Sequence, residues 1–135
     1  MKIRQDFVTN SSSTSFIISL KGEFSQENFF NAVKINPDCL MLSFFEELFE
    51  LLDHGKEPAA EALSRSECSS VKEFMEQNYY RKKQIEAFNN YPDNNREVYA
   101  GTLYDDGENY LDQYLCYSNL LVFSDDIFFA IAVRM

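Results

Sequence analysis

A run of hydroxyl and amide side chains near the start of the chain is the first feature with usable chemistry. Small polar residues continue without a break from Thr9 to Ser15, between the apolar residues Val8 and Phe16. Hydroxyl donors together with the guanidinium of Arg4 are groups that can hold an anion. The same residue types also hydrogen-bond their own backbone and favour turns. The candidate binding residues are Arg4, Asn10, Ser11, Ser12, Ser13, Thr14 and Ser15; the competing interpretation is a surface turn that leads into a strand at Phe16.

Carboxylates are concentrated at a second position, in the last third of the chain. Asp105, Asp106 and Glu108 follow a predicted strand closely, and oxygen ligands of this kind suit Mg²⁺ or Ca²⁺. The segment lacks the alternating acidic spacing of a calcium-binding loop. We therefore predict no metal and no cofactor, and keep the cluster as an alternative ligand-binding or catalytic site.

The single histidine, His54, does not complete a recognisable catalytic set. It precedes Gly55 at the end of a predicted helix, where an imidazole interacts favourably with the helix dipole and glycine suits the left-handed turn. No serine or cysteine stands at a diagnostic spacing from it, and a triad is recognised by geometry rather than by sequence order. A capping role for His54 is the favoured interpretation.

The pattern of apolar residues predicts an α+β fold with an antiparallel or mixed sheet of about four strands, covered by about four helices. Strands are expected near residues 14–21, 97–104, 119–123 and 127–133, and the last two are separated by Ser124-Asp125-Asp126, as in a hairpin. Helical spacing recurs at residues 26–34, 39–53 and 71–89, with shorter segments at 59–63 and 106–115. Because the last two strands lack polar alternation, we expect them to be buried on both faces or central to the sheet.

The predicted helix at residues 39–53, for which Asp38 is the expected N-cap, carries two opposed surfaces. Its apolar residues recur at helical spacing, and the remaining positions form an acidic stripe. The carboxylates of that stripe are Glu46, Glu47, Glu50 and Asp53. A helix with so broad an apolar face is central to the core or buried against another subunit, and the acidic stripe is a candidate face for a partner.

Composition restricts the class of protein. The chain has 135 residues, 45% of them hydrophobic, with a formal net charge of −10, which fits one domain that folds alone or as a homo-oligomer. Such a charge disfavours nucleic acid and anionic membranes, whose binding depends on Lys and Arg, and no apolar run approaches the roughly 20 residues of a membrane helix. The unpaired spacing of Cys39, Cys68 and Cys116 predicts free thiols in a reducing cytoplasm.

The first residues carry a resemblance to a known group. The segment Asp6 to Ile17, with its Phe7-Val8-Thr9-Asn10-Ser11-Ser12-Ser13 core after a short basic start, resembles the opening shared by small uncharacterised bacterial and archaeal proteins. The resemblance covers about the first eighteen residues and implies no activity. It implies a shared processing, recognition or expression feature, and no family is recognised for residues 19–135.

Two functions of different class follow from these observations. The lack of a coherent set of nucleophile, base and oxyanion donors favours a non-catalytic protein-interaction module. One version is an inhibitor or immunity-type protein whose acidic helix covers a basic protein partner through electrostatic complementarity. The alternative is a small ligand-binding or anion-binding domain, or an enzyme, that uses the hydroxyl run with Arg4 or the cluster of Asp105, Asp106 and Glu108.

Overall fold

An antiparallel sheet lies between two layers of helices. The structure is a computed structural model, and it describes residues 13–36, 38–92, 96–104 and 120–132. The strands in this part of the chain are β1 (Ser13–Leu20), β2 (Lys56–Pro58), β3 (Val98–Tyr104), β4 (Leu121–Phe123) and β5 (Ile127–Ile131). Their order is β2-β3-β1-β5-β4, and each neighbouring pair is antiparallel. The predicted α+β class is confirmed.

Five helices cover the sheet within the described residues, and they divide between its two faces. The helices are α1 (Gln26–Val33), α2 (Leu42–Gly55), α3 (Ala59–Arg65), α4 (Val71–Gln77) and α5 (Lys82–Asn89). Side chains of α1 and α2 pack on one face, and those of α3, α4 and α5 pack on the other. The fold therefore has three layers, with two apolar cores separated by the sheet.

Strand β1 supplies both cores because successive side chains of a strand point to opposite faces. Phe16, Ile18 and Leu20 enter the core beneath α1 and α2, whereas Ile17 enters the core beneath α3, α4 and α5. Strand β5 does the same, and all five of its residues are buried. The expectation that an apolar run without polar alternation is central to the sheet is confirmed for β5. Strand β4, its hairpin partner, is instead an edge strand and is only partly buried.

The helix predicted at residues 71–89 is two helices, which is the largest difference from the sequence prediction. The chain turns at Tyr79, whose φ of 66° is left-handed. The Tyr79 N–H bonds the carbonyl of Glu76, and the Tyr80 N–H bonds the carbonyl of Met75 at 3.0 Å, which is the Schellman arrangement for a helix C-terminus. The turn buries Tyr80, whose side chain is 6% exposed. Glycine is the usual residue at this position. Because the sequence has no glycine there, its pattern predicted a single helix over residues 71–89.

The bounds of α2 also differ from the prediction. Asp38 does not cap it, because the helix begins at Leu42 and its N-cap position is Met41, which makes no side-chain cap bond. Gly55 is the last residue of the helix and does not adopt a left-handed turn; the chain continues in extended conformation at Lys56. That residue starts β2, a three-residue edge strand that pairs with β3 and that the sequence pattern did not predict.

The small polar residues before Phe16 are not a turn where they are described. Strand β1 begins at Ser13, so Thr14 and Ser15 are strand residues paired with Leu103 and Thr102 of β3. Residues 1–12, with the extended piece suggested by Ile3 and Phe7, and residues 105–119, with the predicted helix at 106–115, lie outside the described residues.

Candidate functional site

The acidic stripe lies on the solvent side of α2. Leu48, Phe49 and Leu52 anchor the helix in the first core, and with 3.6 residues per turn the opposite side is left to solvent. Glu46, Glu47, Glu50 and Asp53 are exposed there, together with Ser43 and His54. The four carboxylates that the sequence placed on one face are thus brought together on one described surface.

Asp53 differs from the other three carboxylates because it has an internal partner. The Lys56 ammonium lies 2.8 Å from an Asp53 carboxylate oxygen. The same ammonium lies 4.7 Å from the ring centre of Phe24 and 5.1 Å from that of Tyr99. Asp53 therefore completes a local charge pair at the end of α2 and contributes little unbalanced charge to the stripe.

Glu46, Glu47 and Glu50 carry the unbalanced charge. None of them forms an ion pair with another described residue. Residues three or four apart are neighbours on a helix, so Glu50 lies beside both of the others, and like charges in that relation destabilise a helix by about 0.2–0.5 kcal/mol per pair. Helix stability therefore gives no reason for these three carboxylates.

Two large apolar residues are exposed in the chain immediately before α2 begins. Leu40 is completely exposed, and Met41 is 52% exposed. They are held by a compact turn, in which the Cys39 N–H bonds the Asn36 carbonyl at 2.8 Å and the Leu42 N–H bonds the Cys39 carbonyl at 3.1 Å. The sequence analysis assigned Leu40 and Met41 to a predicted helix and missed their exposure. Met41 was counted as the first member of the core-facing repeat, and no feature of the spacing distinguishes it from the members that are packed in the core.

The described hydroxyls of the N-terminal run bond within the fold. The Thr14 hydroxyl donates to the Ala132 carbonyl at 3.1 Å, and the Ser15 hydroxyl donates to the Tyr80 phenol oxygen at 2.8 Å. Burial raises the pKa of Tyr80 above its ordinary range, and the Ser15 bond opposes that shift. These two hydroxyls join β1 to its neighbours. Arg4, Asn10, Ser11 and Ser12 lie outside the described residues, and of Ser13 only the backbone is described.

The other candidate residues from the sequence do not form a catalytic or metal-binding site in the described part of the chain. Asp105, Asp106 and Glu108 lie outside it. Among the described residues, no three His, Cys, Asp or Glu side chains form a group that could hold a metal ion. Cys39 and Cys68 are free thiols, and burial raises the pKa of Cys68. His54 lies in the last turn of α2 and is exposed.

Comparisons with known proteins were made for the whole chain. No protein-family model, curated protein or solved structure matches it. The surfaces of the protein are therefore the basis on which a function is inferred. One further observation concerns the helices: within the described residues, none combines the length and apolarity needed to cross a bilayer.

Proposed function

We propose that this chain is a non-catalytic protein-interaction module that binds a basic protein through α2. The binding surface, called here the acidic surface, comprises Leu40, Met41, Ser43, Glu46, Glu47 and Glu50. Asp53 is left at its margin because Lys56 already neutralises it.

A single observation carries the proposal: three exposed carboxylates without an ion-pair partner among the described residues lie on α2, and two exposed apolar side chains directly precede that helix in the chain. Protein interfaces typically combine an apolar centre with a polar rim. Leu40 and Met41 supply the apolar part, and Glu46, Glu47 and Glu50 supply the charged part. Because the carboxylates repel one another on the free helix, a cationic partner would relieve an unfavourable interaction.

The chemistry of the surface specifies the partner. The partner presents Lys or Arg side chains toward the carboxylates and an apolar recess that accepts Leu40. Electrostatic complementarity of this kind accelerates association and selects against acidic competitors, and salt weakens it. The net charge of −10 supports a protein partner rather than a nucleic acid. The free thiols Cys39 and Cys68 support a reducing compartment, and we place the interaction in the cytoplasm.

Site-specific photo-cross-linking tests the proposal. A photoreactive amino acid replaces Ser43, within the acidic surface, and in a matched protein it replaces Gln77, which is exposed on α4 in the opposite helical layer. We expect a basic protein to be cross-linked from position 43 and not from position 77. That protein, once purified, should bind the chain with an affinity that falls as salt rises.

Charge-neutralising variants complete the test. The triple variant Glu46→Gln, Glu47→Gln, Glu50→Gln removes three carboxylates from the acidic surface, and the control variant Glu61→Gln, Glu76→Gln, Glu86→Gln removes three exposed ones from α3, α4 and α5. Losing several charge pairs at an interface should weaken binding about tenfold in the first variant. Equal affinities for the two variants, or the same cross-links from both positions, would contradict the proposal.

A further inference from the structure

A cavity of about 430 Å³ lies on the other side of the sheet from the acidic surface. It is lined by residues at the start of α4 and the end of α5, by Tyr91, Pro92 and Arg96, and by the first residue of β3. Cavities of this size are typical of small-molecule sites. No part of the interaction proposed above uses it.

The charged residues that are described in the cavity lining are both cationic. Lys72 and Arg96 line it, with no Asp or Glu among the described lining residues, although the chain contains 22 acidic and 12 basic residues. Lys72 forms no ion pair with any described residue. The carboxylate of Glu73, next to Lys72 in the chain, accepts from the Ser69 N–H at 2.7 Å and from its hydroxyl at 2.9 Å. That carboxylate is thus engaged by Ser69.

Arg96 is held in a fixed orientation at the cavity wall. Its guanidinium lies 5.1 Å from the ring centre of Tyr91, and one Nη1 hydrogen bond is donated to the Asp125 carbonyl in the β4–β5 turn. Tyr91 is itself buried, and its hydroxyl donates to the Ser19 carbonyl at 3.3 Å. A guanidinium has five N–H donors, so donors remain for a ligand, and their orientation is set before the ligand arrives.

The rest of the wall is mainly apolar. Val71, Phe88 and Val98 line the cavity and also pack against the second core. Asn89, the last residue of α5, adds an amide. A ligand would therefore meet two cations beside an apolar surface. Carboxylate and phosphate groups are the natural partners of a guanidinium, which can bind them through two parallel bonds.

We infer that this cavity binds a small organic anion whose carboxylate or phosphate lies between Lys72 and Arg96 and whose apolar body lies against Val71, Phe88 and Val98. The cations supply attraction for the charge, and the apolar wall excludes a fully hydrated inorganic ion. Binding is independent of the acidic surface.

Titration of the full-length ¹⁵N-labelled protein with phenyl phosphate tests the inference, with benzyl alcohol and inorganic phosphate as the comparison probes. Phenyl phosphate should give saturable amide shifts at residues 71, 72, 88, 89 and 96. Benzyl alcohol lacks the charge and inorganic phosphate lacks the apolar body, so both should bind at least tenfold more weakly. Equal binding of benzyl alcohol would overturn the anion site, and the absence of saturable shifts with phenyl phosphate would overturn the cavity as a site.

Three variants separate binding from folding. Lys72→Gln removes an exposed cation without disturbing a described contact, and Arg96→Gln removes the guanidinium. Each should weaken phenyl phosphate binding about tenfold, as expected for the loss of one charge-assisted hydrogen bond. The control Lys83→Gln removes an exposed cation of α5 that does not line the cavity and should leave binding unchanged. If Lys72→Gln binds as tightly as the unmodified protein, the inference fails even where Arg96→Gln alters the fold. The triple variant of the acidic surface should retain binding, so the two proposals can fail separately.

Discussion

Phe16 on β1 lies directly opposite Gly101 on β3, and its ring occupies the space where a β-carbon at position 101 would lie. A β-carbon there would be 2.5 Å from Cζ of Phe16 and would also contact the carbonyl oxygen of Gly55 at the end of α2. Phe16 is completely buried. Gly101 therefore allows α2, β1 and β3 to meet closely.

Replacing Gly101 with Ala should destabilise the protein by about 1–3 kcal/mol, because a buried ring and a backbone carbonyl must both move. The matched control is Gly55→Ala, whose added β-carbon would lie 3.6 Å from the nearest atom, the Thr102 carbonyl oxygen. Alanine at this helical position should be neutral or stabilising by up to about 1 kcal/mol. Urea unfolding of both variants measures the difference. Similar stabilities would contradict the close approach at Gly101.

The buried amide of Gln84 joins α5 to the sheet and should be sensitive to substitution. Its Nε2 donates to the carbonyls of Ile131 at 2.8 Å and Leu120 at 3.0 Å, and its Oε1 accepts from the Arg81 N–H at 2.7 Å. In Gln84→Leu all three bonds are lost, although the Leu120 carbonyl still accepts from the Ile131 N–H, so the free energy of unfolding should fall by about 1–3 kcal/mol. Gln77→Leu, on exposed α4 surface, should change it by less than about 0.5 kcal/mol. Thermal unfolding of the pair is the measurement.

A glycine should be better than glutamate at position 67. Glu67 follows Ser66, the C-cap of α3, and has a φ of 57°. The Cys68 N–H bonds the Leu63 carbonyl at 2.9 Å, as in a Schellman turn. Glu67→Gly should stabilise the protein by about 1 kcal/mol, because glycine tolerates this backbone and the change removes a carboxylate from a helix C-terminus. The control Ser64→Gly, at a regular helical position of α3, should destabilise the protein. If both glycine variants changed the free energy of unfolding in the same direction, a left-handed backbone at Glu67 would be refuted.

The ion pair between Glu57 and Arg65 predicts a pH dependence. Arg65 Nη1 donates to Glu57 Oε1 at 2.9 Å, and Nη2 donates to Oε2. Hydrogen bonding to Arg65 lowers the pKa of Glu57 and outweighs the opposing effect of burial. A lowered pKa in the folded state means that the pair stabilises above the ordinary Glu pKa of about 4.3 and loses its effect as the pH falls through the lowered value.

The difference in the free energy of unfolding between the unmodified protein and Glu57→Gln should therefore shrink as the pH falls. Urea unfolding between about pH 7 and pH 2.5 measures this difference. Arg65→Gln removes the same pair and should give the same convergence. A difference that stays constant through the acidic range would exclude the pair as its cause.

Reversing the charge of Glu50 should separate folding from binding. Lysine at position 50 would lie one turn beyond Glu46 and Glu47, replacing two repulsions with two attractions near the C-terminal half of α2. Because two like-charge contacts become opposite-charge contacts, Glu50→Lys should stabilise the free protein by about 0.5–1 kcal/mol and weaken binding of the partner identified by cross-linking. The control Glu86→Lys, beyond Lys82 and Lys83 on α5, should destabilise the protein and leave binding intact. Tighter partner binding by Glu50→Lys would contradict the proposed function.

The sequence by itself determined the elements with a strong periodic pattern. The apolar runs around Phe16 and Phe129 predicted buried strands, and the helical repeat from Phe44 to Leu52 placed the acidic stripe opposite the core. These predictions depend on the local alternation of polar and apolar residues, which is visible in one dimension. The N-cap of α4 depends on residues equally close in the chain, because the Ser70 hydroxyl accepts from the Glu73 N–H at 3.2 Å.

Tertiary structure decided the features that depend on partners distant in the chain. The turn between α4 and α5 has a non-glycine residue, Tyr79, in a left-handed conformation. This turn buries Tyr80, and the phenol oxygen of Tyr80 accepts a hydrogen bond from Ser15. Lys56 neutralises Asp53, leaving three carboxylates of the stripe unbalanced. The exposure of Leu40 and the meeting of Lys72 with Arg96 around one cavity likewise required the packed fold, because no sequence spacing specifies which side chains a sheet and its helices bring together.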